Sequence, residues 1–329
     1  MKIAINGFGR IGRMTLRALQ SHPEIEVVAV NDLTDAKTLA HLLKFDSAHG
    51  RFPGDVSAEN DALIVNGKRI GLLSERDPAN LPWASLGIDV VIESTGHFTD
   101  KSTAQAHINA GAKKVLITAP ASGGVKTIVH GINDELIGGD DVIYCTASCT
   151  TGSIAPVLYV LDKEFGIESG YMITIHAFTA DQRLQDAPHK DLRRARAASY
   201  SIIPTSTGAA KAIGEVLPNL KGKLDGYACR VPVIDASIAD LSVNLQREVS
   251  KDELKSVLKH YAETSLKGIM EYTEEELVSS DIIGNTHSSI VDANLTKSIG
   301  KLVKVVAWYD NEVGISNRIA ELVSLIEGA

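Results

Sequence analysis

An apolar stretch, Lys2-Ile3-Ala4-Ile5-Asn6, runs directly into Gly7-Phe8-Gly9-Arg10-Ile11-Gly12 and then into a helical pattern over 10–20. A strand that enters G-x-G-x-x-G and leaves as a helix restricts the fold more than any other feature of this chain. The first glycine permits a tight turn, the second lets backbone N–H groups approach a pyrophosphate, and the third lets helix and strand pack closely. The positive end of the helix then faces the phosphates. A second strand over 25–32 ends in Asn31-Asp32, the place where an acidic side chain meets a ribose 2′-hydroxyl. A carboxylate accepts a hydrogen bond from a free 2′-hydroxyl and repels a 2′-phosphate, so the expected cofactor is NAD rather than NADP.

Apolar runs at 89–95, 113–118 and 141–147, with a helix near 101–110, continue the alternation and predict a parallel sheet covered on both faces. Beyond residue 149 the texture changes. The runs 170–178, 226–234 and 239–248 are longer and partly alternating, which suits a mixed or antiparallel sheet with one solvated face. Between the first two lies a polar stretch, 179–207, of the kind that forms a long functional loop. Ile315, Ile319, Leu322, Val323 and Ile326 recur at helical spacing and close the chain with an amphipathic helix. The expected fold class is α/β: an N-terminal Rossmann-type dinucleotide-binding domain plus an α+β catalytic domain with a mixed or antiparallel sheet. The first domain covers 1–148 and is completed by a C-terminal helix in 311–329, and the catalytic domain covers 149–310.

With 329 residues, 44% of them hydrophobic, the chain is long enough for two domains with full cores. Its net charge of −8 argues against nucleic acid as the main partner, because phosphate binding wants a basic surface. One local basic run, "HKDLRRAR" at 189–196, could serve a small phosphorylated ligand or form a solvated face. The N-terminus reads as a strand and not as a signal peptide, and no apolar run approaches the ~18 residues a membrane span needs. The three cysteines, Cys145, Cys149 and Cys229, are odd in number and fit no zinc spacing, so no metal is expected and a reduced, cytoplasmic compartment is.

Cys149 follows an apolar strand and precedes the helical pattern 150–165, for which Thr150 or Thr151 is the expected cap. Pro156 falls late for a first-turn proline, which predicts an irregular first turn or a kink. A thiol at a helix N-terminus is shifted towards thiolate, yet a single cysteine can equally be a small buried hydrophobe, and the residues leave both readings open. Cys145 and Cys229, inside apolar strands, read as buried. Among ten histidines, His176 is the candidate base, since it ends a strand and opens a polar loop.

These pieces, in this order, resemble the phosphorylating glyceraldehyde-3-phosphate dehydrogenase family over the whole chain. The resemblance is carried by "INGFGRIGR" (5–13), "NDLTDAKTLAHLLKFDSAHGRF" (31–52), "ASCTT" (147–151), "HAFTADQ" (176–182), "PHKDLRRARAA" (188–198), "IIPTSTGAAKAIG" (202–214), "RVP" (230–232) and "WYDNE" (308–312). It implies Cys149 as the nucleophile, His176 as its base, and an imidazolium–thiolate pair. It also implies Ser148, Thr150, Thr207 and Gly208 as a site for attacking inorganic phosphate. Thr179, Asp181 and Arg230 would hold the phosphate of glyceraldehyde 3-phosphate, and Arg194 would reach the phosphates. Gly7, Gly9, Arg10, Ile11, Gly12, Asp32, Arg76, Thr95, Gly96 and Thr118 are implied cofactor contacts, and Asn311 would orient the nicotinamide amide. A homotetramer is implied too, with the 179–207 loop near a neighbour's cofactor.

The chain departs from the family pattern at several positions. Gly152 stands where most members have Asn, and Cys145-Thr146 replaces Ser-Asn. Ala180 stands where Asn is common, and Val313 and Ile315 occupy positions where the family favours an aromatic or methionine and then a tyrosine. Ala187-Pro188 weakens the preference for NAD, which Asp32 upholds. None of these removes a group that the chemistry needs, and the expectation is an active enzyme with weakened cofactor affinity. The sister erythrose-4-phosphate dehydrogenases, in which water replaces phosphate, differ at "STGAAKA" (206–212) and "PHKDLRRAR" (188–196). The other competing reading is a non-catalytic NAD-binding module.

Overall fold

The glycine turn joins β1 (Lys2–Asn6) to α1 (Arg10–Leu19), and β2 (Glu26–Asn31) follows. This computed structural model describes residues 1–329. Next come α2 (Ala36–Lys44), the small hairpin β3 (Phe45–Asp46) and β4 (Gly50–Arg51), and the strands β5 (Val56–Glu59), β6 (Ala62–Val65) and β7 (Lys68–Leu73). The unit continues through α3 (Trp83–Leu86), β8 (Val90–Glu93), α4 (Lys101–Asn109), β9 (Lys114–Ile117), β10 (Lys126–Ile128) and β11 (Ile143–Thr146). Residues 1–128, 134–146 and 316–329 form this first compact unit.

Its nine-stranded sheet has the order β10-β11-β9-β8-β1-β2-β7-β6-β5. The strands from β10 to β7 are parallel, and β6 and β5 add an antiparallel edge. The chain grows from β1 to one side through β2 and to the other through β8, so the order reverses beside β1. Ligands of such sheets bind at the carboxyl ends of the strands where the order reverses. β8 is shorter than the 89–95 run suggests, because Ser94 and Thr95 turn away over the end of β1, where Ser94 Oγ donates to the Gly7 carbonyl at 2.6 Å.

The second unit, residues 129–133 and 147–315, opens with α5 (Cys149–Phe165), β12 (Ile167–Ala177), β13 (Ile203–Ser206), α6 (Ala209–Val216), β14 (Leu224–Val231) and β15 (Ser237–Leu245). It closes with α7 (Lys251–Glu263), β16 (Met270–Thr273), α8 (Ser279–Ile282), β17 (Ser289–Ile299), β18 (Leu302–Tyr309) and the start of α9 (Val313–Glu327). The sheet order is β13-β14-β12-β15-β18-β17-β16, with β12/β14 and β16/β17 parallel and the other pairs antiparallel. Helices α5, α6 and α7 supply Ile154, Leu158, Ile213 and Leu254 to one core with Met172, Leu241, Val243 and Val305 of the strands. No helix of the molecule is long and apolar enough to cross a membrane.

The head of α5 corrects the sequence expectation. The helix begins at Cys149, and Ser148, in extended conformation, is the cap; its Oγ accepts from Thr151 N at 3.1 Å. Thr150 and Thr151 lie inside the helix with both side chains buried. The helix runs unbroken through Pro156. Proline removes the donor to the carbonyl four residues back, which is Gly152, the residue whose missing side chain crowds that turn least.

Candidate active site

In the first unit the glycines have separable reasons. Gly7 has φ +92°, and a Cβ there would lie 2.7 Å from Thr95 N. A Cβ on Gly12 would lie 2.2 Å from the Gly7 carbonyl oxygen, so this glycine sets the approach of α1 to β1. A Cβ on Gly9 would meet nothing within 4 Å, and Gly9 caps α1 with no side-chain hydrogen bond. The helix end is therefore open towards a cavity of about 460 Å³ lined by Asn6, Gly7, Gly9, Asp32, Arg76 and Thr95, among others. Asp32 accepts from Phe8 N at 2.8 Å and from Thr34 N at 3.0 Å, which fixes the carboxylate against the turn and leaves further lone pairs free. These features fit a dinucleotide: bare N–H groups for a pyrophosphate, room where a side chain would intrude, and an oriented carboxylate for a ribose.

Other expected cofactor residues are placed differently. Arg10 turns to Asp46, bonding it through both terminal nitrogens. Against the upward push of burial, Arg10 and the N–H groups of His49 and Ala48 hold Asp46 at about 2. Ile11 is half-buried on α1, Gly96 has φ +74°, and Thr118 Oγ1 donates to the Glu93 carbonyl at 3.2 Å. Sequence reasoning missed the support beneath Thr95. Buried Glu93 accepts from Thr95 N at 2.8 Å and from Asn6 Nδ2 at 2.6 Å, and its Oε2 lies 3.0 Å from His107 Nε2. Trp83 Nε1 donates to His107 Nδ1 at 3.0 Å, so Nδ1 is the acceptor and the hydrogen on Nε2 points at Glu93.

In the second unit Cys149 Sγ lies 3.4 Å from His176 Nε2. β12 presents Met172, Thr174 and His176 inwards by its two-residue alternation. α5 lays Cys149, its first residue, over the end of that strand. Burial pushes the Cys149 thiol up, while Arg230 and hydrogen bonds from Thr150 pull it down. Burial and the Arg230 charge lower His176 to about 3, opposed by the Ala177 carbonyl. The imidazole therefore stands neutral, and the cation beside the thiol is Arg230. With the thiol protonated, a second positive charge beside the half-buried Arg230 guanidinium is disfavoured. Tyr309, which sequence reasoning left without a role, hydrogen-bonds Thr150 Oγ1 at 2.9 Å and Thr174 Oγ1 at 2.7 Å, and its ring meets His176 edge-on at 5.9 Å.

The expected phosphate residues form two groups around this pair. Arg230 Nη1 lies 2.9 Å from His176 Nδ1 and donates to the Ala177 carbonyl at 3.0 Å, while its buried Nε makes no hydrogen bond. Arg194 donates to Asp181 at 2.7 Å, to Thr205 Oγ1 at 2.7 Å and to the Ser206 carbonyl at 3.2 Å, next to Thr207 and Gly208 at the head of α6. Gln182, another residue missed, bonds Thr179 N at 2.9 Å and Asp181 at 3.0 Å and ties the two together. Ser148 Oγ and the Thr150 hydroxyl are engaged within the fold, with Thr151 and Tyr309. Asn311 Oδ1 accepts from Ser237 Oγ at 2.8 Å, the same hydroxyl that accepts from Ala177 N at 3.1 Å.

A dinucleotide cavity where a doubly wound sheet reverses its order, in a chain that also carries a thiol–imidazole pair at the head of a core helix, defines an NAD-linked oxidoreductase. The family model described as "Glyceraldehyde 3-phosphate dehydrogenase, NAD binding domain" matches residues 1–101, and that described as "Glyceraldehyde 3-phosphate dehydrogenase, C-terminal domain" matches residues 148–311. The chain is 56% identical over 333 residues to the glyceraldehyde-3-phosphate dehydrogenase of Mycobacterium tuberculosis (strain ATCC 25618 / H37Rv). It is 55% identical over 328 residues to that of Geobacillus stearothermophilus, and each alignment covers 99% of this chain and 98% of the relative. The chain belongs to the glyceraldehyde-3-phosphate dehydrogenase family.

Proposed function

We propose that this chain oxidises glyceraldehyde 3-phosphate to 1,3-bisphosphoglycerate with NAD and inorganic phosphate, a glycolytic and gluconeogenic reaction. The observation that carries the reading is Cys149 Sγ at 3.4 Å from His176 Nε2, with the thiol on the first residue of a 17-residue helix. His176 takes the thiol proton, and the thiolate attacks the aldehyde carbon to form a hemithioacetal whose alkoxide receives that proton back. As the C–H hydride departs, His176 takes the hydroxyl proton again and a thioester on Cys149 remains. An oxygen of inorganic phosphate attacks the thioester carbon, the C–S bond breaks, and the acyl phosphate leaves with Cys149 restored as thiolate. NAD, when bound, supplies the hydride acceptor.

In this reading Arg230 and Thr179 hold the substrate phosphate, and Arg194, Thr207, Gly208, Ser148 and Thr150 serve the attacking phosphate. Paired guanidinium and N–H donors suit both anions. Asp181, being anionic, acts through Arg194. Asp32, Arg76 and the glycine turn hold the cofactor, and Asn311 turns its free amide nitrogen to the nicotinamide. The three free cysteines suit a cytoplasmic enzyme. Apolar side chains left exposed on β12, β14 and the 179–202 loop suit a homotetramer. The test follows NADH formation from glyceraldehyde 3-phosphate and from erythrose 4-phosphate, each with and without phosphate, with NAD and with NADP. Phosphate-dependent turnover of the first aldehyde with NAD is expected. A folded protein without it refutes the reading.

A further inference from the structure

Three neighbouring strands of the nine-stranded sheet end in polar residues that are register partners: Asn31 on β2, Asn6 on β1 and Glu93 on β8. All three are buried at the carboxyl edge of the sheet, beneath the dinucleotide cavity. Their side chains are joined in one direction. The backbone of Glu75 fixes the Asn31 amide, donating to Oδ1 at 2.8 Å and accepting from Nδ2 at 2.9 Å. Asn31 Nδ2 also donates to Asn6 Oδ1 at 2.7 Å, which turns Asn6 Nδ2 to Glu93 Oε2 at 2.6 Å. From the other side Trp83 Nε1, which can only donate, bonds His107 Nδ1 at 3.0 Å. The ring hydrogen is thereby placed on Nε2, 3.0 Å from the same Glu93 oxygen.

Donors thus meet both oxygens of Glu93, and an amide in its place would turn an NH2 group against one of them. The second oxygen, Oε1, accepts the Thr95 N–H at 2.8 Å and the Thr95 hydroxyl. Thr95 Oγ1 has then given up its hydrogen, and it accepts from His97 N at 3.1 Å. What this hydroxyl offers the cavity is its remaining lone pair. A lone pair there receives a hydroxyl or amino hydrogen and repels a phosphate oxygen. We infer that Trp83, His107 and Glu93 are positioning residues of the dinucleotide site. The order of donors that begins at the indole ends by holding Thr95 as an acceptor for a hydroxyl or amino group of the cofactor. His107 is itself fully buried and acts through Glu93 and Thr95.

That role rests on the reading of the cavity as the cofactor site, so binding of NAD is measured apart from turnover, by calorimetry on the whole chain. His107→Gln keeps a side-chain N–H that can reach Glu93. His107→Met has no donor but fills the space beside Phe98, whose ring meets His107 edge-on at 6.3 Å. His107→Met should weaken NAD binding about tenfold, while His107→Gln should stay within about twofold of wild type. Thr95→Val should weaken binding as much, and adding His107→Met to it should weaken binding no further, because residues acting in series are not additive. The 15N resonances of the wild-type His107 ring, assigned by their absence from His107→Gln, should show hydrogen on Nε2 and none on Nδ1. Hydrogen on Nδ1, losses that multiply in the double variant, or wild-type affinity in His107→Met each overturn the inference and spare the cavity. A folded wild type that does not bind NAD overturns both. Should His107→Met fail to fold, the ring nitrogens and Thr95→Val decide: hydrogen on Nε2 with weakened binding upholds the role, and either opposite result removes it.

Discussion

At the residue scale, His176 ties chemistry to stability. Its folded value near 3 lies below the ordinary imidazole value of about 6.5, so the unfolded chain takes up the proton first. Stability is then full above about pH 6.5 and is lost as the pH falls towards 3. At pH 4.5 the loss from this one group is about 2–3 kcal/mol. Asp46, held at about 2, adds its own loss only as the pH drops below its ordinary 3.8 and does not confuse the comparison. Urea unfolding of wild type and His176→Asn at pH 7.5 and 4.5 should show wild type losing more by that amount, and equal losses would refute the assignment. In activity, the same substitution should lower kcat by roughly 10²–10⁴-fold with a small change in KM, the range expected for removal of a positioned base. A variant with unchanged kcat would leave Cys149 without need of this base.

At the scale of elements, the glycines of the β1–α1 turn separate folding from binding. Gly12→Ala drives a Cβ into the Gly7 carbonyl at 2.2 Å, so it should lower both the melting temperature and NAD affinity. Gly9→Ala meets no protein atom within 4 Å, so it should cost stability only about 0.5–1 kcal/mol as a cap change, yet raise the KM for NAD at least tenfold. Equal effects of the two on KM and melting temperature would show that Gly9 serves the fold alone. Gly152 is a third case. Its Cβ position is open, so Gly152→Ala should stabilise α5 by about 0.5–1 kcal/mol in thermal or urea unfolding, and a loss of stability would mean that the turn before Pro156 needs glycine. The glycine turn and its helix were legible in the sequence because strand, turn and helix are contiguous and each glycine answers a local steric demand. The cap of α5 lies two or three residues before the expected Thr150 or Thr151 because Ser148, Thr150 and Thr151 are all competent hydroxyls, and the end of β11 at Thr146 decides among them. The contacts of Arg230 with His176 and of Tyr309 with Thr150 were not legible. They depend on strand register across 54 and 159 residues, which no local spacing encodes.

At the scale of the whole molecule, the seven-stranded sheet is covered by helices on one face only. Its other face shows Tyr171 at 69% exposure, Ile175 at 42% and Tyr227 at 45%. The adjoining loop adds Leu184, Leu192, Tyr200 and Ile202, all at 70% exposure or more. Single exposed apolar residues are ordinary, but aromatic and branched side chains gathered on one sheet and its flanking loop mark a surface meant for protein contact. The loop is well enough braced to serve as part of such a surface: Ala187 N bonds the Ala195 carbonyl at 2.9 Å, and Ala198 N bonds the Arg183 carbonyl at 2.9 Å. The same loop carries Asp181 and Arg194, so assembly through this face would steady the residues assigned to phosphate. Wild-type protein at micromolar concentration should therefore sediment above the chain mass, and at four times that mass on the proposed homotetramer reading. Tyr171→Asp combined with Tyr227→Asp should shift it to smaller species and raise the KM for phosphate several-fold, with the Cys149 alkylation rate of the free enzyme unchanged. A wild type that sediments as a monomer, or a double variant still tetrameric with wild-type KM, would remove this face from the assembly.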